Sequence, residues 1–282
     1  MKVSQEHVQH PDHSFRFLRF TVDGAAGQWH RHRQIELTWI ERGSGIRFVG
    51  DNASPFGDRD LVLLGPNVPH LWLGAALPSG EQLSASVIQF PVDLLAAPLL
   101  PELAPIRAVI DRAGGGLHVQ GACHAGVTAA MTRMRDAAPL ARLGALMEVF
   151  AALALPGAEL TPVASRQTHA ESGAAGAAGE RRVQRVIEWI HSNLAQPLPV
   201  ARAAAVAHVT PEAFSRFFRR ETGKTYTGYL GDVRCSAACL RLRQTDHPVA
   251  RIAQDCGYGT TAHFNRQFLR RTGVTPRVYR RS

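Results

Sequence analysis

Two histidines, a carboxylate and a third histidine are spaced so that they could meet: His30-x-His32-x-x-x-Glu36, then His70 beyond Gly65-Pro66-Asn67-Val68-Pro69. Imidazole nitrogen and carboxylate oxygen ligate divalent first-row metals, so His30, His32, Glu36 and His70 form a candidate site for Zn, Mn, Fe or Ni. Along an extended strand, His30, His32, Gln34, Glu36 and Thr38 share parity and point to one face. The same set also suits a pocket that binds a small-molecule effector without metal, or a hydrogen-bonded structural cluster. Trp39 and Trp72 flank it and offer flat faces to a sugar-like or aromatic effector, or to the core. The expected effector pocket is therefore His30, His32, Glu36, Trp39, His70 and Trp72.

A second set carries charge rather than ligand chemistry, and it occurs twice. Val200-Ala-Arg-x-Ala204 with Phe214-Ser-Arg216-Phe-Phe218-Arg-Arg220-Glu-Thr222-Gly223 is matched by Val249-Ala-Arg-Ile-Ala253 with Phe264-Asn-Arg266-Gln-Phe268-Leu-Arg270-Arg-Thr272-Gly273. The front halves are 49 residues apart and the back halves 50, which places one inserted residue in the turn of the second copy. A repeat that tolerates an insertion only at its turn is two copies of one supersecondary unit.

Each copy predicts helix, turn, helix. In the first, Ala201 to Ala207 is helical, His208-Val209-Thr210 turns, Thr210 caps the next helix and Pro211 takes its first position. Phe214, Phe217 and Phe218 then share one face. In the second, Cys256-Gly257-Tyr258-Gly259 turns, Thr260 or Thr261 caps, and Phe264 and Phe268 are buried. Gly223 and Gly273 end the second helices. This is the layout of a DNA-reading helix-turn-helix. Glu212, Ser215 and Arg216, with Thr261, His263 and Arg266, are the expected base readers, arginine being suited to a guanine edge. Arg219, Arg220 and Arg270 are expected on phosphates.

Around the second unit run Ile252-Ala253-Gln-Asp-Cys256-Gly257-Tyr258, Phe264-Asn-Arg266-Gln-Phe268 and Gly273-Val-Thr-Pro276-Arg-Val-Tyr279-Arg280. In these motifs the chain resembles the DNA-binding domain of the AraC/XylS family of bacterial transcription regulators, over about residues 181–281. The resemblance implies two helix-turn-helix units joined by a long helix, about Thr225 to Gln244, each reading one of two successive major grooves. One departure is His208, where a glycine is common.

The first half predicts short strands: Phe15–Val22, Gln34–Ile40, Ile46–Val49, Asp60–Leu64, His70–Leu73 and Leu83–Phe90, with turns at Gly24, Gly27 and Arg42–Gly45. Many short strands argue for a sandwich or barrel. The family resemblance narrows this to a cupin-like β-barrel of jelly-roll type, and the histidine set is similar to the two metal motifs of cupins, in the right order. Asn67 departs from that pattern, standing where metal-binding cupins have a later glycine. Ile106 to Leu117 reads as mixed and turn-rich. Helices are expected over Gly121–Arg135 and Leu140–Leu155, a hairpin through which members of such a family dimerise, or which simply packs on the barrel. Pro162 to Gly179 reads as a flexible tether.

The fold class is thus two-domain α+β: an N-terminal cupin-like β-barrel with a helical hairpin (1–160), a linker (161–179), and an all-α C-terminal domain with two helix-turn-helix units (180–282). Charge agrees with that division. Net charge is +9, yet residues 180–282 hold 18 Lys+Arg against 7 Asp+Glu, a net of +11, while residues 1–179 net −2. A basic half joined to a near-neutral one points to a nucleic-acid module carried by something else. Cys123, Cys235, Cys239 and Cys256 lack zinc-knuckle spacing and read as reduced thiols of a cytoplasmic protein. No signal core or membrane span is expected. The implied function is a homodimeric regulator, activator or repressor, that binds double-stranded promoter DNA, senses a small-molecule effector and contacts RNA polymerase. The alternatives are a metal-dependent cupin enzyme fused to a DNA-binding domain, and a ligand-free dimeric scaffold. No general base, nucleophile or cofactor loop accompanies the ligands, so catalysis is not expected.

Overall fold

The computed structural model describes residues 14–22, 29–74, 83–95, 100–164 and 174–281. Its first part is rich in strands: β1 Arg16–Val22, β2 Ile35–Arg42, β3 Gly45–Val49, β4 Asn52–Phe56, β5 Leu61–Leu64, β6 His70–Gly74 and β7 Leu83–Phe90. Then come α1 Ala104–Arg112, β8 Leu117–Val119, α2 Gly121–Arg133, α3 Pro139–Leu153 and β9 Leu160–Pro162. Among the described residues, six strands form one sheet in the order β1-β7-β2-β5-β8-β9, and three form a second in the order β4-β3-β6.

Period-two alternation assigns each face. Ile35 and Leu37 of β2, Leu61 and Leu63 of β5, and Ile88 and Phe90 of β7 pack on Val127, Met131, Leu146 and Phe150 of the helices. The opposite parity, Ile40, Val62, Leu64 and Ala85, turns inward toward the small sheet, where it meets Phe56, Val49 and Trp72. The small sheet is covered on its other face as well, so every residue of β3 is buried.

The cover is the helical second part: α4 Ala174–Ser192, α5 Val200–Ala207, α6 Pro211–Thr222, α7 Tyr226–Gln244, α8 Val249–Asp255, α9 Thr261–Thr272 and α10 Pro276–Arg281. Ile46 and Phe48 of β3 and Leu71 of β6 join one apolar cluster with Val183 and Ile187 of α4 and Tyr229 and Val233 of α7. Phe48 stacks on Tyr229 with ring centroids 5.4 Å apart. The Ser236 hydroxyl of α7 donates to the Ala53 carbonyl of β4 at 3.3 Å.

The structure departs from the sequence reading in four places. Residues 104–112 are helical rather than turn-rich. Pro105 stands in the first turn of α1, and Ile106, Val109 and Ile110 make a buried stripe. β4 was not foreseen because Pro55 disfavours a strand. It is tolerated because β4 lies at the sheet edge. The stretch read as a linker over 161–179 is partly ordered: β9 pairs with β8, Val163 and Ala164 bond to Gly116 and Gly115, and α4 begins at Ala174. Residues 165–173 lie outside the described residues, as do Met1–His13 and the turns placed at Gly24 and Gly27. Finally, β2 begins only at Ile35, so His30 to Gln34 is not the continuous strand assumed for the ligand set.

Candidate metal centre and nucleic-acid interface

The ligand set converges by a different route. His30 forms an isolated antiparallel bridge with His70, the first residue of β6, and the chain bends through residues 33–34 before Glu36 enters from β2. One ligand atom each from His30, His32, Glu36 and His70 lies within 4.8 Å of the others. Glu36 and His70 are buried, and His30 and His32 are half-buried, so the open side of the cluster is theirs. Asn67 sits in the left-handed region (φ 60°), where asparagine is among the few residues tolerated, and its N–H donates to the His32 carbonyl at 2.7 Å. The departure from glycine thus preserves the turn that delivers His70.

Hydrogen bonds decide what this cluster can hold. His32 Nδ1 lies 3.1 Å from the Gln34 carbonyl and His70 Nδ1 2.8 Å from the Val68 carbonyl. A carbonyl only accepts, so both Nδ1 atoms carry protons, and each Nε2 presents a lone pair in the neutral ring. Those Nε2 atoms face the Glu36 carboxylate, at 2.9 Å from Oε2 for His32 and 3.5 Å from Oε1 for His70. His70 Nε2 is buried without a hydrogen-bond partner. Gln89 Nε2 lies 3.4 Å from His32 Nε2 and is a neutral donor to that ring, whereas the His70 lone pair and the Glu36 carboxylate face each other with nothing between them but room for a cation, a proton or a metal. The backbone carbonyls that fix the tautomers are the outer shell that metal-bound histidines ordinarily have. The donor set therefore fits a divalent transition metal.

Two residues that the sequence reading missed hold Glu36 in place. Thr38 Oγ1 donates to Oε1 at 2.6 Å, and Gln89 Nε2 of β7 donates to Oε2 at 2.9 Å. Thr38 shares Glu36's parity and was visible in that sense, whereas nothing in the sequence links Gln89 to the motif. Burial would raise the Glu36 carboxyl, but the His70 and His32 rings outweigh it and hold the group well below the ordinary carboxylate range.

Trp39 does not belong to this site. It has the opposite parity to Glu36 and packs toward the helices, with the Arg135 guanidinium 5.9 Å from its ring centroid. Trp72 does lie beside the cluster, 5.8 Å from the His70 ring, with its Nε1 donating to buried Asp60 at 3.2 Å. A recess of about 470 Å³, bounded by Asp58, Arg59, His118, Gln120 and His124, contains none of the six expected pocket residues.

The second part has the repeated architecture. α5 and α8 start 49 residues apart, and α6 and α9 start 50 apart, at the offsets of the sequence repeat. The Thr210 and Thr260 hydroxyls accept from Ala213 and His263, and Gly223 and Gly273 close the helices at φ 75° and 76°. Phe214, Phe218, Phe264 and Phe268 are fully buried. His208 adopts the left-handed conformation, φ 53°, at the end of α5, a position that favours glycine. The turn keeps its shape, and a side chain carries the strain. Glu212, Ser215, Arg216, Arg219, Arg220, Thr261, His263, Arg266 and Arg270 are all exposed on α6 and α9. Arg220 is engaged by Glu221 at 2.8 Å, and Arg270 by Gln267 at 2.7 Å.

The two units are tied by one acid. Asp232 of α7 pairs with Lys224 after α6 and with Arg271 of α9, the latter at 2.9 Å. Arg271 thus has an acidic structural partner on another helix, whereas Arg270 is engaged by Gln267 of its own helix. The four cysteines are buried and free. No helix among the described residues is long and apolar enough to cross a membrane.

Comparison with known proteins places this architecture. A helix-turn-helix domain family matches residues 203–282. The regulatory protein SoxS of Salmonella typhimurium is 35% identical over 98 residues, which cover 35% of this chain and 92% of SoxS. The HTH-type transcriptional regulator YobQ of Bacillus subtilis is 31% identical over 94 residues, 33% of this chain and only 39% of YobQ. Among solved structures, the DNA-binding domain of AdpA in complex with a target DNA is 29% identical, covering 34% of this chain and 86% of that one, at a TM-score of 0.33. An AraC-type regulator from Chromobacterium violaceum is 23% identical, covering 37% and 93%, at a TM-score of 0.35. With its repeated helix-turn-helix units and a relative matched over nearly its whole length, the chain belongs to the AraC/XylS family of DNA-binding transcription regulators.

Proposed function

We propose that the chain is a one-component regulator in which an N-terminal cupin-like barrel of jelly-roll type senses a small-molecule effector with the help of a divalent metal. His30, His32, Glu36 and His70 would hold that metal, which would supply a Lewis-acid contact for an effector oxygen or nitrogen. Trp72 borders the site, and Thr38 and Gln89 orient its carboxylate. The regulator acts as a homodimer on promoter DNA and contacts RNA polymerase. The observation that carries the metal reading is the pair of Nδ1–H donors, which leaves two imidazole Nε2 atoms directed at a buried carboxylate.

Elemental analysis of the purified chain tests it, with His32→Ala beside the wild type. About one equivalent of Zn, Mn, Fe or Ni is expected in the wild type and little in the variant. Absence of metal from both, with both folded, would leave protons as the only cations in the cluster and remove the metal from the reading.

Glu212, Ser215, Arg216, Thr261, His263 and Arg266 are assigned to base edges, and Arg219, Arg220 and Arg270 to phosphates. Their support is exposure on the two second helices, each capped and seated by buried phenylalanines. Arg216→Ala or Arg266→Ala is expected to weaken operator binding by about 1–3 kcal/mol and relax preference at one base pair. Arg219→Ala is expected to weaken all sequences alike and lower the salt slope by about one. Unchanged sequence preference in both Arg216→Ala and Arg266→Ala would refute the assignment of base readers.

A further inference from the structure

The metal cluster and the surface that docks the barrel onto the helical part occupy opposite faces of the same two segments. His30 and His70 bond through their backbones, His30 N–H to the His70 carbonyl at 3.1 Å and His70 N–H to the His30 carbonyl at 2.9 Å. Side chains alternate across extended backbone, so the neighbours of these ligands point the other way. Trp29 and Leu71 do so, and both are about 2% exposed within the cluster formed with Val183, Ile187 and Phe48. The Trp29 N–H donates to the Gln184 side-chain carbonyl of α4. Gln184 is held in that orientation by its own donation to Glu188 at 2.7 Å. Farther along the small sheet, Phe48 stacks on Tyr229, and Ser236 reaches Ala53.

We propose that metal ligation in the barrel and docking of the barrel onto α4 and α7 are one linked equilibrium. The proposal rests on the metal reading above and names what that site regulates. A metal that fixes His30 against His70 also fixes Trp29 and Leu71 in the register that meets Gln184 and the α4 apolar face. Loss of the metal frees the bridge and loosens the docked helices. Linkage is reciprocal, so docking must tighten the metal by the same factor. A one-residue shift of the bridge would exchange the two faces, so the arrangement is held or lost as a unit. Because α4 packs on the first helix-turn-helix unit, α5 and α6, and α7 is the helix joining both units, a metal-dependent brace there sets how the two reading helices are presented.

The test uses the full chain with Zn²⁺ as the probe and two variants on the docking face, Gln184→Ala and Phe48→Ala, neither of them a ligand. Zn²⁺ affinity is measured by chelator competition. Docking is measured as hydrogen-exchange protection of residues 45–56 and 226–240, with and without Zn²⁺. Zn²⁺ is expected to raise protection at both segments, and each variant is expected to weaken Zn²⁺ by about 5-fold or more. Gln184→Ala removes one methylene and the amide and leaves the aromatic packing intact, so it retains the test if Phe48→Ala fails to fold. Variants that lose protection yet bind Zn²⁺ with wild-type affinity would overturn the coupling while leaving the metal site intact. A wild type that binds no Zn²⁺, Mn²⁺ or Ni²⁺ would overturn the metal reading itself, and the coupling with it.

Discussion

Replacing Arg47 by Ala is expected to destabilise the chain by about 3–5 kcal/mol, the cost of leaving one charge of a buried pair uncompensated. Arg47 projects from β3 into the space between the two sheets, and both it and Asp60 are under 10% exposed. Its guanidinium pairs with Asp60 and donates to Ser54 Oγ at 3.3 Å. Asp60 also accepts from Trp72 Nε1 at 3.2 Å and lies 3.4 Å from His118 Nε2. Burial would raise the Asp60 carboxyl, but His118, Arg47 and Trp72 together hold it below its ordinary value. Without Arg47, the carboxylate keeps its desolvation cost and loses its main counter-charge. Urea unfolding of Arg47→Ala should show the loss. The double variant Arg47→Met with Asp60→Leu should recover most of it, because an apolar pair needs no compensation. A loss below about 1 kcal/mol in the single variant would mean that the pair behaves as a solvated surface bridge.

That pair also marks a limit of what the chain discloses by itself. Arg47 in Ile46-Arg-Phe-Val49 resembles the solvent-facing member of an alternating strand. Here β3 has no solvent face: one side meets Asp60, the other meets Tyr229 of α7. Period-two patterning separates two faces but does not say what covers each, and the cover lies about 180 residues downstream. Gln184 and Trp29 were invisible for the same reason. Trp39 is the reverse case. The parity that gathers Glu36 and Thr38 sends Trp39 to the helix side, so the alternation along β2 by itself excludes Trp39 from the pocket. His30 and His32 met Glu36 and His70 although their strand was misread, since a bridge and a bend deliver them as a strand would. The helix-turn-helix units were legible nearly to the residue. Their caps, glycines and phenylalanine stripes are local signals, and they occur twice.

Lowering the pH is expected to loosen the docked face through His191 at the end of α4. Its ring lies 5.1 Å from Phe48, and its Nε2 is buried without a partner. Burial pushes the imidazole down from 6.5 to about 4. The docked state therefore holds the ring neutral, while a solvated ring takes a proton at its ordinary pH. The sign follows from the depressed value: the folded state keeps its full stability above about pH 6.5 and loses it as pH falls toward 4, by about 2 kcal/mol at pH 5 and about 3 kcal/mol at the limit, and undocking releases whatever share of that burial Phe48 supplies. Unfolding curves and hydrogen-exchange protection of β3 should both weaken between pH 7.5 and pH 5 in the wild type. His191→Phe removes the proton site and keeps an aromatic ring against Phe48, so its protection at β3 should vary much less over that range. If the variant follows the wild type, the acid sensitivity belongs to other groups, and His191 is no more than a packed ring. If it does not, the chain has a proton-sensitive contact beside the one proposed to be metal-linked, and both bear on the same strand, since Phe48 of β3 faces His191 and Val49 of β3 pairs with His70.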